Sequence, residues 1–334
     1  MATNSKNREI LILVLTLLLT VGILGLGVRY FPRLSGLMQS SESPNQDSSQ
    51  SLNNNDPSSG SKSQPVASFD LNTLDTSLPN PTILSIDGSV SIVTIVKQFQ
   101  VAYNFINPNL PTTYGIPDGK PNGTNAGLKN LIDGKVLMAA ISRPLNGSEL
   151  EAGIVGVPIA RDALAIAVGV NNPYQGGLTL EQLRLIFLGE ITNWSDVGGP
   201  NLPIKVINRS RDSGTHSFFQ ESVLSGKSFA PDGANFTTVD QDETTPILRA
   251  LGNDGISYST VTQVENQQTV RILPINGMSP TDKALVKNGT YPISRVVYLA
   301  VPRKTSPAVK QFLELALSPS GQEGVQRAGF VPVK

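Results

Sequence analysis

The 334-residue chain sets 26 lysines and arginines against 26 aspartates and glutamates, a net charge of zero that argues against a nucleic-acid binder. It still permits local positive potential inside a cleft. With no cysteine and a single histidine, it excludes disulfides, thiolate and multi-histidine metal sites, cysteine nucleophiles and an acylated lipoprotein cysteine.

Residues 10–28 are apolar apart from Thr16 and Thr20 and carry no charge. That length is close to the ~20 residues a membrane-spanning helix needs. Lys6 and Arg8 precede the stretch, so residues 1–9 are expected in the cytoplasm, although Arg29 and Arg33 on the far side weaken the contrast. The reading is an uncleaved signal anchor over residues 10–28, with a cleaved secretory signal as the alternative. Both readings put the rest of the chain outside the cytoplasm. Residues 29–80 are expected to be a linker, rich between 39 and 68 in Ser, Asn, Gln and Pro. So few large apolar side chains cannot offset the entropy of ordering.

From about residue 81, strand and helix patterns alternate. Residues 82–86 read as a buried strand, and 89–105 as a helix with Ile92, Val93, Val96, Phe99 and Tyr103 at helical spacing. Residues 124–132 form a short helix closed by Asp133-Gly134, and 136–141 a strand. Residues 163–170 are a long apolar strand, and 180–187 a helix capped by Thr179. A strand at 204–208 runs into a loop and a helix at 215–224. A helix at 243–251, strands at 256–258 and 296–301, and helices at 306–317 and 319–328 complete the body. Such alternation predicts parallel sheets covered by helices, with ligands beyond the carboxyl ends of the strands.

Three runs stand at those strand ends. They are Asp87-Gly88-Ser89, Asn122-Gly123-Thr124-Asn125 and Arg209-Ser210-Arg211-Asp212-Ser213-Gly214-Thr215. Each opens a helix-like stretch, whose first N–H groups lack internal partners and carry positive dipole character. Glycine beside a hydroxyl residue offers donors without bulk. Three such ends meeting in one cleft with an arginine would bind a tetrahedral oxyanion. A serine-hydrolase reading of Ser213 and His216 lacks a nucleophile elbow and an oriented third partner. A phosphate-cradling GxxxxGK[ST] loop is absent as well.

These runs, in order, resemble the phosphate-binding proteins of bacterial phosphate ABC transporters, a branch of the two-lobed periplasmic binding proteins. The resemblance covers roughly residues 81–332. It rests also on Ile141-Ser142-Arg143-Pro144-Leu145, Gly189-Glu190-Ile191-Thr192-Asn193-Trp194, Thr290-Tyr291-Pro292-Ile293-Ser294-Arg295 and Leu317-Ser318-Pro319 with Gly321-Gln322. Arg209 with Ser213-Gly214-Thr215 is its most specific element. The resemblance implies an α/β, two-lobed, type II-like fold with two parallel or mixed sheets. Lobe one is expected over 81–158 and 272–334, and lobe two over 159–271. The chain would cross between them near 157–162 and return near 256–274, and the lobes would close on the ligand as a hinge.

It further implies a monomeric, extracytoplasmic, non-enzymatic receptor for inorganic phosphate. The receptor would need no cofactor or metal; with the signal-anchor reading of residues 10–28 it would be tethered to the membrane, and with the cleaved-signal alternative it would be secreted. It would serve a permease and its ATPase. A receptor for sulfate or another oxyanion, or a sensor without a transport partner, is the alternative. The expected donors are Ser89, the Val90 N–H, Thr124, Asn125, Ser142, Arg209, Ser213, Gly214 and Thr215. The Arg209 fork suits two oxygens at once. The lesser alternatives are a plain helix cap for Ser89 and a plain turn for Thr124-Asn125, while Arg211 is expected to pair with Asp212 at the surface, with binding the anion in place of Arg209 as its alternative. Some relatives carry aspartate where this chain has Ser142. A hydroxyl accepts a hydrogen but does not repel a fully ionised anion, leaving Asp87 or Asp118, both expected as solvated turn residues, to supply the acceptor.

Overall fold

The computed structural model describes residues 68–333. The expected anchor at 10–28 and most of the expected linker lie outside them. Among the described residues no helix is long and apolar enough to cross a membrane.

The ordered body starts earlier than the composition suggested. A short 3-10 turn, Leu71–Thr73, begins at Asp70, whose side chain accepts from the Asn72 N–H. Leu74 is buried, and Phe69 and Leu71 pack against the lobe-one core. Backbone bonds tie Asp75 to Arg303 and Thr305, so residues 69–80 belong to the body and not to the linker. The apolar side chains Phe69, Leu71 and Leu74, sparse but well spaced, supply the burial that the preceding polar stretch lacks.

In chain order the body runs β1 (Leu84–Gly88), a 3-10 turn at Val90–Ile92, α1 (Val93–Ile106), β2 (Thr112–Tyr114), α2 (Thr124–Ile132), β3 (Met138–Ile141), α3 (Gly147–Glu151) and β4 (Ile154–Gly169). It continues with α4 (Leu180–Phe187), β5 (Lys205–Asn208), α5 (Gly214–Ser222), β6 (Phe236–Thr238), α6 (Thr244–Arg249), β7 (Gly255–Thr260) and α7 (Val261–Val264). Then come β8 (Val270–Leu273), α8 (Lys283–Lys287), β9 (Ser294–Pro302), α9 (Pro307–Leu317), α10 (Pro319–Arg327) and β10 (Val331–Pro332). The predicted helix at 89–105 begins with the 3-10 turn because the Ser89 Oγ accepts from the Ser91 N–H at 3.2 Å.

The sheets are mixed. β1 runs parallel to β2 and β3, and β5 parallel to β6 and β7. β9 is antiparallel to β3 and β4, and β7 and β8 are antiparallel to β4. β4 is the shared strand. Ile154–Ala163 pairs with β9 in lobe one, and Leu164–Val168 pairs with β7 in lobe two. The first crossing therefore falls at 163–164, just beyond the expected stretch.

The return crossing expected at 256–274 is displaced further. β7 and β8 both pair with the lobe-two half of β4. Ile275, Val286, Tyr291 and Ile293 are buried in the lobe-two cluster. The chain re-enters lobe one only at β9, where the Leu164 N–H donates to the Ile293 carbonyl at 2.9 Å. Residues 274–293 hold too few consecutive apolar residues to look like core, yet Tyr291 is 1% exposed and its hydroxyl donates to the Leu164 carbonyl.

Packing fixes the ends that matter for a ligand. In lobe two, Phe219 of α5 stacks on Tyr258 of β7 with ring centroids 4.0 Å apart. Such a pair adds about 0.5–1.5 kcal/mol beyond its burial. The Tyr258 hydroxyl donates to Asn208 Oδ1 at 2.7 Å, and the same oxygen accepts the Arg209 N–H at 3.0 Å. The end of β5 and the start of α5 are thereby held against one platform.

Candidate anion site between the lobes

The three glycine-bearing corners come together. Ser89, Thr124, Ser142, Arg209, Ser213 and Thr215 are all buried, none more than 1% exposed. Lobe one supplies Ser89 after β1, Thr124 at the first turn of α2, and Ser142 just past β3. Lobe two supplies Arg209 just past β5 and Ser213-Gly214-Thr215 at the start of α5. Across the cleft, Ser91 Oγ and Thr215 Oγ1 lie 2.8 Å apart.

Thr124 Oγ1 is 3.2 Å from Ser142 Oγ and accepts the Ser142 N–H at 3.2 Å. Gly214 sits against both. A Cβ built on it would fall 2.3 Å from Thr124 Oγ1 and 2.6 Å from Ser142 Oγ. Gly123, the residue before α2, has φ +93°, and a Cβ there would meet the Asp212 carbonyl oxygen at 2.6 Å. Only glycine allows these backbones to approach so closely.

A family model described as the PBP superfamily domain matches residues 60–320. The chain belongs to the PBP superfamily. The phosphate-binding protein PstS of Borreliella burgdorferi is 29% identical in an alignment of 267 positions that covers 76% of this chain and 91% of that protein. A substrate-binding protein of Clostridium perfringens, solved with bound phosphate, is 28% identical with a TM-score of 0.66, covering 75% of this chain and all of that one (100%). An ABC-type phosphate transport receptor from Vibrio cholerae is 25% identical with a TM-score of 0.61, covering 74% and 99%. The two-lobed fold of this superfamily is the one that the strand pairing describes.

Within that fold, each hydroxyl is oriented by its neighbours. Ser213 Oγ accepts from Arg209 Nε at 3.1 Å and from the Thr215 N–H at 3.2 Å. Both donors are N–H groups, so the Ser213 hydrogen is left for a third partner. Thr215 Oγ1 accepts from Arg295 Nη1 at 2.9 Å.

The Arg209 guanidinium is more committed than its planar fork suggested. Nε goes to Ser213, Nη1 to Thr244 Oγ1 (3.1 Å) and Ser259 Oγ (3.3 Å), and Nη2 pairs with Asp242. A guanidinium has five N–H groups. These bonds occupy four of them and leave one, on Nη2, where the planar fork suggested two.

Asn125 does not face the other donors. Its backbone N–H donates to the Asp212 carbonyl at 3.1 Å, and its Nδ2 donates to the Arg211 carbonyl at 2.9 Å and to Ser217 Oγ at 3.3 Å. Its Oδ1 accepts from Arg143 Nε and Nη2. Asn125 therefore bridges the lobes. Arg143 also forks onto Glu149, at 2.9 and 2.7 Å. Burial alone would raise the Glu149 carboxyl, but bonds from Arg143 and the Asn146 N–H outweigh it and hold the group below its usual value.

Two further expectations change. Asp87 is fully buried and not a solvated turn carboxylate. It accepts from the Asn122 N–H (3.1 Å), Asn122 Nδ2 (3.0 Å) and Asn130 Nδ2 (2.7 Å), so it pins the second corner to the first. Among the described residues no ion pair joins Arg211 to Asp212, both of which are exposed.

Asp162, Asp242 and Ser91 are not singled out by the sequence, and Arg295 stands there only as the end of the Thr290–Arg295 run and not as a site residue. Arg295 is 4% exposed, and its Nε donates to Asp162 Oδ2 at 2.9 Å. Its Nη1 reaches the Ser142 carbonyl at 3.1 Å as well as Thr215. Asp162 also accepts from Thr260 Oγ1. Burial pulls Arg295 below the usual guanidinium range, and Asp162 opposes it. A charged residue opening the apolar strand 296–301 was the available signal, because buried charges are paired.

Proposed function

We propose that this protein is a non-enzymatic extracytoplasmic receptor that binds inorganic phosphate between its lobes and hands it to the permease of an ABC transporter. In this reading the apolar stretch at 10–28 tethers it to the membrane. The convergence of the Ser89, Thr124 and Ser213–Thr215 corners on one buried cleft carries the proposal. Ser89, the Val90 N–H, Thr124, Ser142, Ser213, Gly214 and Thr215 donate to the anion, with the one free Nη2 hydrogen of Arg209. Helix starts and hydroxyls supply the attraction, and paired carboxylates keep the site near neutral. The names of the Borreliella and Vibrio proteins and the phosphate bound to the Clostridium protein support the choice of anion.

A second reading, another tetrahedral oxyanion such as sulfate, is favoured by the state of the nearby carboxylates. Asp87, Asp162 and Asp242 each accept from protein donors. At position 142 itself the chain has a serine hydroxyl in place of a carboxylate that would repel a fully ionised anion. Calorimetric titration of the full chain in detergent with phosphate, and then with phosphate in excess sulfate, tests both. Saturable phosphate binding unaffected by sulfate is expected. Displacement at equal sulfate concentration would replace phosphate by the wider class, and absence of binding to either would overturn the proposal.

A further inference from the structure

Gln263, half-buried at α7, joins the Arg209 network to lobe one. Its Oε1 accepts from Ser259 Oγ at 2.8 Å and Thr244 Oγ1 at 3.1 Å. Those two oxygens are the ones that accept from Arg209 Nη1. Its Nε2 donates across the cleft to the Val90 carbonyl at 3.2 Å. The polarity of this chain is set from both ends. A guanidinium can only donate, so the Thr244 and Ser259 lone pairs take it and their hydrogens turn to the amide oxygen. A peptide carbonyl can only accept, so it demands the amide NH2. The Gln263 amide therefore has one workable orientation.

We propose that Gln263 is an interlobe latch, a positioning residue that couples the placement of Arg209 to closure on the Ser89–Val90 turn. This rests on the phosphate-receptor reading for the identity of the ligand. The Gln263–Val90 bond exists only when the lobes meet, so it stabilises the closed state alone and shifts the equilibrium toward it. Such a contact slows ligand release and leaves association largely unchanged. Among the described residues it is the bond by which the side chains around Arg209 reach lobe one without passing through Ser213–Thr215.

The test uses the full chain in detergent, with phosphate as the probe and stopped-flow measurement of both rate constants. Gln263→Glu keeps the size and the Oε1 acceptor but sets an oxygen against the Val90 carbonyl. Gln263→Ala removes both ends. Release is expected to quicken about fivefold in Gln263→Ala and more in Gln263→Glu, the loss of one hydrogen bond and then a repulsion. Association should stay within about twofold. A merely structural glutamine would lower the thermal midpoint without this split.

Because the chain has no cysteine, Lys97→Cys in lobe one and Lys227→Cys in lobe two allow clean labelling for distance measurement without phosphate. Gln263→Glu should lengthen the label separation. Release at the unsubstituted rate, or an unchanged separation, overturns the latch. If the unsubstituted chain binds no phosphate, the receptor reading fails and the label separation alone decides the latch.

Discussion

Gly214 lies so close to Thr124 that a Cβ added to it would stand 2.3 Å from the threonine Oγ1. One residue belongs to lobe two and the other to lobe one, so the pair measures how tightly the lobes meet. Gly214→Ala should keep each lobe folded and hold them apart. Overpacking of this kind costs about 1–3 kcal/mol, so phosphate affinity should fall about tenfold or more, read by calorimetry.

Arg209 and Asp242 form a fully buried pair, 0% and 3% exposed in their side chains. Arg209→Ala should weaken phosphate binding at least about tenfold, the scale of a hydrogen bond to a charged group. It should also cost about 3–5 kcal/mol of stability by stranding the carboxylate. Adding Asp242→Asn should recover much of the thermal midpoint and none of the affinity.

His216 packs against Phe229 with ring centroids 4.4 Å apart. Burial, helped by the nearby Arg211 charge, lowers its pKa from 6.5 to about 4. The unfolded chain then binds the extra proton first. The stabilisation is complete above pH 6.5 and drains away as pH falls toward 4. The thermal midpoint of His216→Phe should fall less over that window than that of the unsubstituted protein.

Ser142 carries no charge at a position that faces Thr124, Gly214 and the Arg295 contact. Ser142→Asp should introduce a carboxylate that accepts the hydrogen of a protonated phosphate and repels sulfate. Competition titration should show sulfate binding lost by a larger factor than phosphate binding.

Much of this architecture was legible because its signals are local. The Thr179 cap shows as a full capping box with Gln182, and α2 occupies the predicted residues 124–132. The three corners were legible because helix starts need donors and small residues. What was not legible depends on pairing across long separations. Arg295 meets Asp162 across 133 residues, and Arg209 meets Asp242 across 33. Neither carboxylate sits in a recognisable pattern, and Asp162 lies in an apolar run next to Arg161. Asn125 looked like an anion donor by its place in a helix start, but the approach of lobe two claimed its amide. The return crossing was misplaced because 274–293 is irregular and its burial comes from contacts that no periodicity encodes.

The most direct measurement is equilibrium dialysis of radiolabelled phosphate against the purified full chain and its Ser213→Ala/Thr215→Val double variant. One phosphate retained per chain, displaced by unlabelled phosphate and lost in the double variant, is the expected result. No retention, or retention untouched by removing both hydroxyls, would contradict the account.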